Sequence, residues 1–137
     1  MKKKKNLGHI QQIVNRLNKH KDVRLISRSS RCFVDLNTNN TLYFYNGKDL
    51  GDRFFYNVSP KANSKMQGYE NPIYCFCSDD EIFTIPFQDL YNTYGNIEKR
   101  WLVNIVKNGG DFYWIEGDLY LNPIVLPIPS YRRHEVI

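Results

Sequence analysis

The stretch Thr41–Val58, TLYFYNGKDLGDRFFYNV, decides the reading of the fold. Thr41–Tyr45 and Arg53–Val58 are short runs of aromatic and branched side chains, and Asn46-Gly47-Lys48-Asp49 between them reads as a turn. Such side chains suit a pleated, half-buried surface, while Asn and Gly tolerate the backbone angles a reversal needs. The stretch therefore predicts strand, turn, strand, and the same rhythm recurs on both sides of it.

Upstream, Val23–Ser27 and Arg31–Asp35 read as strands around the polar turn Arg28-Ser29-Ser30, with a further turn at Asn37-Thr38-Asn39-Asn40. Before them, Leu7, Ile10, Ile13, Val14 and Leu17 recur at three- and four-residue steps, which predicts one amphipathic helix over Leu7–Lys19. Downstream, Ser59–Pro72 shows no apolar periodicity and is expected to be a long loop of the kind that carries function. Ile73–Ser78 and Glu81–Ile85 then make a hairpin over Asp79-Asp80. Pro86 suits the start of a short helix across Phe87–Tyr94, which Gly95 stops. Trp101–Lys107 and Asp111–Glu116 form a last hairpin over Asn108-Gly109-Gly110, and Pro123, Pro127 and Pro129 mark an extended strap. The expectation is an α+β fold with two helices: a meander of hairpins in a strongly curved, mostly antiparallel sheet or partly open β-barrel. Residues 1–6 are expected to form a basic flexible tail, and 7–137 a single globular domain.

Bulk composition excludes several classes. At 42% hydrophobic and 24% charged, the 137 residues are those of a globular domain that needs neither metal nor disulfide to fold. Four lysines in Met1–Asn6 are followed by no apolar stretch, so no secretory signal is expected. No run approaches the ~20 apolar residues of a membrane span. Cys32, Cys75 and Cys77 form no framework spacing, which points to reduced, buried thiols in a cytoplasmic setting.

The charge is uneven. Met1–Lys65 holds fourteen Lys or Arg against four acids, whereas Met66–Ile137 holds five against ten. A strongly positive half creates a potential that attracts polyanions, of which nucleic acid is the commonest.

Familiar catalytic patterns are missing. No acid is followed two residues later by lysine, the spacing of restriction-type nucleases, in which paired carboxylates hold a metal and the lysine positions water. Glu98 with Arg100 comes nearest. His134-Glu135 has no second histidine for a zinc-protease motif, and the scattered glycines make no phosphate loop. No catalytic residue, metal or cofactor is expected, and a binding role is favoured over catalysis.

Binding needs cations for phosphates and polar or aromatic groups for bases. Arg24, Arg28 and Arg31 surround the serine-rich turn, Lys48 and Arg53 flank the next, and Lys61, Asn63, Ser64 and Lys65 sit in the long loop. Tyr43, Tyr45, Asn57 and Trp114 are candidates for a base pocket, because tyrosine offers both a stacking face and a hydroxyl. Most of the ten tyrosines and eight phenylalanines must nevertheless be core.

The succession Arg53-Phe54-Phe55-Tyr56-Asn57-Val58-Ser59-Pro60, then Ile73-Tyr74-Cys75-Phe76-Cys77 leading to Phe83-Thr84-Ile85-Pro86-Phe87, then Trp101-Leu102-Val103-Asn104-Ile105 carries a resemblance. It resembles the small β-pseudobarrel DNA-recognition domains of restriction and methylation-dependent restriction systems. The likeness spans roughly residues 52–115 and lies in strand rhythm, so it carries over no base-reading residue. It implies double-stranded DNA recognition, DNA over RNA, in a bacterial or phage defence setting, with other subunits of a defence complex as partners. Two alternatives belong to other classes. One is a small nuclease built on Asp35, Asp49, Asp52 or Asp111; the other is an adaptor or inhibitor that docks an acidic protein.

Overall fold

The computed structural model describes residues 2–19, 21, 23–77, 82–107 and 113–115, with the side chains of 2–9, 106–107 and 113–115 left aside. The chain is α+β. Helix α1 (Lys2–Leu17) leads into strands β1 (Leu25–Ser27), β2 (Cys32–Asp35) and β3 (Asn40–Asn46). Strands β4 (Lys48–Asp49) and β5 (Arg53–Val58), helix α2 (Pro60–Gln67), and strands β6 (Pro72–Cys77) and β7 (Ile82–Pro86) follow. Helix α3 (Phe87–Tyr94), β8 (Trp101–Lys107) and β9 (Tyr113–Ile115) complete the described elements.

The strands form two sheets, ordered β1-β2-β3-β6-β7 and β4-β5-β8-β9. This corrects the expected meander. The stretch 41–58 is not a hairpin, because the chain leaves the first sheet after β3 and enters the second at β4, within the expected turn. Strand β3 instead pairs in parallel with β6, Tyr43 beside Tyr74 and Tyr45 beside Phe76. The described strands make no closed barrel. Gly47 permits the switch, since a Cβ there would run into the Tyr56 ring.

Period-two alternation gives the five-stranded sheet two apolar faces. Leu42, Phe44, Ile73, Cys75 and Cys77 pack with Ile10, Ile13, Val14 and Leu17 of α1. Tyr45, Tyr74, Phe76, Phe83 and Ile85 face the other way, onto Tyr56, Val58, Trp101 and Val103 of the second sheet and onto Met66 and Leu90 of α2 and α3. The Tyr56 hydroxyl donates to the Cys77 carbonyl at 3.0 Å and ties the sheets together. The three cysteines are free and buried, and Cys75 and Cys77 share one face as their spacing requires.

Two more expectations are corrected. The helix spans Lys2–Leu17 rather than starting at Leu7, and lysine is a good helix former. Three helices are present among the described residues, not two. The added one is α2, in the segment 59–72 expected to be a loop. Ser59 caps it by accepting from the Ala62 N–H at 3.1 Å, Pro60 opens it and Gly68 closes it. Of the expected strand 111–116, residues 113–115 are described and form β9, and the strap with Pro123, Pro127 and Pro129 lies outside the described residues.

Candidate functional site

The turn 28–31 is closed by the N–H groups of Arg28 and Ser29, both donating to the Cys32 carbonyl at 2.7 and 3.1 Å. The Arg31 carbonyl accepts from the Phe44 N–H at 2.9 Å, which anchors that arginine against β3. Its guanidinium lies 5.7 Å from the centre of the Tyr45 ring. Around it opens a cavity of about 390 Å³ lined by Arg31, Tyr43, Tyr45, Asn46, Asn57 and Ser59. Strand β3 supplies the tyrosines, β5 supplies Asn57, and the cap of α2 supplies Ser59. The site therefore sits where the first sheet, the second sheet and α2 meet.

Its walls are fixed by hydrogen bonds. The Tyr45 hydroxyl accepts from the Ser59 N–H at 3.2 Å, and Asn57 Oδ1 accepts from Arg100 Nη1 at 3.3 Å. The Tyr43 and Tyr45 rings lie 5.3 Å apart, and Tyr74 edges onto Tyr43 at 5.8 Å. Burial pushes the Tyr43 phenol up to about 12; the neighbouring Tyr45 adds to this and the Arg31 charge opposes it. Tyr43 is thus a neutral hydroxyl near pH 7, able to donate or accept.

Further positive charge gathers nearby. Burial raises the Cys32 thiol, while the charges of Arg28 and Lys65 pull it down, which places both cations within electrostatic reach of that one side chain. The Arg28 guanidinium lies over the Tyr69 ring at 4.6 Å. Lys61, Ser64 and Lys65 occupy the exposed face of α2, opposite the buried Ala62, Asn63 and Met66.

No protein-family model, curated protein or solved structure matches the chain. The functional reading consequently rests on the chemistry of the site.

Of the expected phosphate contacts, Arg31 lines the cavity, Arg28 lies over Tyr69, and Lys61, Ser64 and Lys65 share the exposed face of α2. Arg24 lies at the other end of β1, about 13 Å of strand away from Arg28. Lys48 is exposed on the short strand β4, and Arg53 is half-buried in a two-pronged contact with Asp52 at 3.2 Å. Asn63 is a correction. It is fully buried, and its Oδ1 accepts from the Tyr74 hydroxyl at 2.5 Å, so it faces the core rather than a ligand. Of the expected base pocket, Tyr43, Tyr45 and Asn57 do share one cavity, though their strands belong to different sheets. The Trp114 side chain lies outside the described residues.

The carboxylates weighed for a nuclease have local partners. Asp35 is fully buried and accepts from the N–H groups of Arg24 and Asn37 at 3.0 Å. Asp49 accepts from the Gly51 N–H at 2.9 Å, and Asp52 holds Arg53. Asp111 lies outside the described residues. Among those residues no three His, Cys, Asp or Glu side chains gather as a metal-ligand set. No helix among them is long and apolar enough to cross a membrane.

Sequence reasoning missed Arg100, Tyr69 and Ser59. Arg100 lies in the acidic half of the chain and reaches Asn57 only because β8 pairs with β5, Trp101 beside Val58. Ser59-Pro60 with Gly68 is a readable start and stop for α2, and would have placed Ser59 at a cap.

Proposed function

We propose that the chain is a nucleic-acid-binding module, with double-stranded DNA in a bacterial or phage defence setting as the first partner to test. The observation that carries this reading is the Arg31 guanidinium over Tyr45 in a cavity walled by Tyr43, Tyr45 and Asn57. The cation suits a phosphate, and arginine can grip a phosphate with two parallel hydrogen bonds. The cavity adds what phosphate binding alone does not need: tyrosine rings, a hydroxyl kept neutral, and the Asn57 amide. The N–H groups at the start of α2, beside Ser59, add a partial positive charge. Strand rhythm in residues 52–115 supports the DNA-recognition setting by resemblance.

Fluorescence anisotropy with labelled duplex, plain and methylated, across a salt series tests the proposal. Binding that weakens steeply with salt supports it, and a methylated-to-plain difference supports modification reading. No binding at low salt sinks it, and salt-sensitive binding to an acidic protein in its place would move the basic cluster to protein docking.

A further inference from the structure

A second cavity, of about 550 Å³, opens beside the first sheet between the end of α2 and the start of α3. Tyr69, Phe87 and Tyr91 supply its aromatic surface, and Gln67, Asn71 and Gln88 supply side-chain amides. Its volume falls in the ~300–1,000 Å³ range of small-molecule sites. No residue lining it carries a formal charge, in contrast to the Arg31 cavity.

The walls are held in place. Phe87 and Tyr91 stack nearly parallel, 9° apart with centres at 5.8 Å, and Phe87 stacks in turn on Trp101 at 5.7 Å. Gln88 Nε2 donates to Asn92 Oδ1 at 2.7 Å, which fixes that amide. Asn71 adopts left-handed backbone, φ +45°, as does Asn39, φ +64°. The Asn71 carbonyl accepts from the Thr41 N–H at 3.1 Å, and Asn71 Nδ2 donates to the Asn39 carbonyl at 3.5 Å. The rim is thus joined to the turn before β3 rather than left as an open loop.

Flat aromatic walls rimmed by neutral amides match a planar heterocycle with donors and acceptors on its edge. A bare anion finds no countercharge there, and an aliphatic chain would leave the amides unsatisfied. Tyr69 joins this cavity to the basic cluster, because its ring lines the cavity and also carries the Arg28 guanidinium. We propose that the cavity holds one unpaired nucleobase, stacked on Tyr69 and read at its edge by Gln67, Asn71 and Gln88, with Arg28 meeting the adjoining phosphate. This rests on the nucleic-acid reading above and adds a base-recognition subsite to it.

The test is calorimetric titration of the full chain with adenosine and cytidine monophosphates, with ribose phosphate as the baseless control and a single-stranded oligonucleotide as the polymer arm. Nucleoside monophosphates should bind and ribose phosphate should not. Gln67→Ala with Gln88→Ala should weaken binding about tenfold, the worth of one or two lost hydrogen bonds, with melting unchanged because both glutamines are exposed. Tyr69→Leu, which keeps bulk but removes the aromatic face, should weaken it similarly. Nucleotide binding with strand binding marks a base within a strand; nucleotide binding with neither strand nor duplex binding marks a free nucleotide and removes the nucleic-acid reading. Salt-sensitive strand binding that the glutamine and Tyr69 variants leave unchanged overturns the subsite and leaves that reading standing. Failure of the wild-type chain to bind nucleotides and the single strand overturns the subsite, and failure to bind duplex as well overturns both.

Discussion

Arg31 and Asn63 are polar residues in the basic half of the chain, and packing gives them opposite roles. Arg31 keeps its guanidinium at a cavity mouth over Tyr45, with its backbone bonded to β3. Arg31→Ala should lower nucleic-acid affinity about tenfold, as loss of a charge-assisted phosphate contact does, with little change in melting temperature. Asn63→Ala should do the reverse. The Tyr74 hydroxyl would lose its buried acceptor, at a cost of ~1–3 kcal/mol seen in denaturant unfolding, while the folded fraction binds as before. The phenols add a pH dependence whose sign follows from their shifts. Unfolded tyrosine titrates near pH 10. Burial raises Tyr43 to about 12 in the folded chain and raises Tyr74 as well. The folded state therefore keeps these protons longer than the unfolded state. The Tyr43 contribution is intact below about pH 10 and is lost as the pH climbs through about 12, and the loss from Tyr74 begins at the same lower bound. Denaturant midpoints measured across that window should fall, and tyrosinate absorbance should show a late-titrating class.

Helix α2 is the element where local polarity and tertiary role diverge most. Its eight residues contain few apolar side chains, so periodicity could not announce it, yet Ala62 and Met66 are one helical turn apart and both enter the core. Docking those residues turns Lys61, Ser64 and Lys65 outward to the exposed face of the helix. Ser59→Ala removes the cap of the helix and should cost ~0.5–2 kcal/mol, measured by thermal or denaturant melting. The passage from β3 to β4 is the other decisive element. Gly47→Ala should destabilise by ~1–3 kcal/mol, because the added methyl meets the Tyr56 ring that links the two sheets. If the mutant melts like the wild type, the close approach at Gly47 is not what permits the switch between sheets.

At the scale of the molecule, the charge asymmetry between the two halves of the chain becomes a spatial arrangement. The turn 28–31 and α2 belong to the basic half, and the pairing of β8 with β5 brings Arg100 from the acidic half to Asn57, in the cavity wall. Each cation that neutralises a phosphate on duplex DNA contributes ~0.9 to the slope of log affinity against log salt. The triple variant Arg28→Ala, Arg31→Ala and Lys65→Ala should therefore lower that slope by about 2–3. An unchanged slope would detach these residues from the interface even if the chain binds DNA.

Read from the amino acids alone, most strands, α1, α3, the α+β class and the cation-rich turn at 28–31 were legible, because alternation, helical spacing and turn chemistry act over a few neighbouring residues. Tyr43 and Tyr45 were legible as a pair for the same reason, since a spacing of two puts both on one face of β3. Which strand edge pairs with which was not legible. The edges of β5 and β6 offer β3 the same row of N–H and C=O groups, and the choice of β6, in parallel, is made by side chains far apart in sequence closing the two cores around the sheet. That choice sends β5 to the second sheet, docks α2 against the first and buries Asn63. It also brings Asn57, Ser59 and Arg100 to the tyrosines. The site exists where separately folded local elements meet, so only the tertiary structure could compose it.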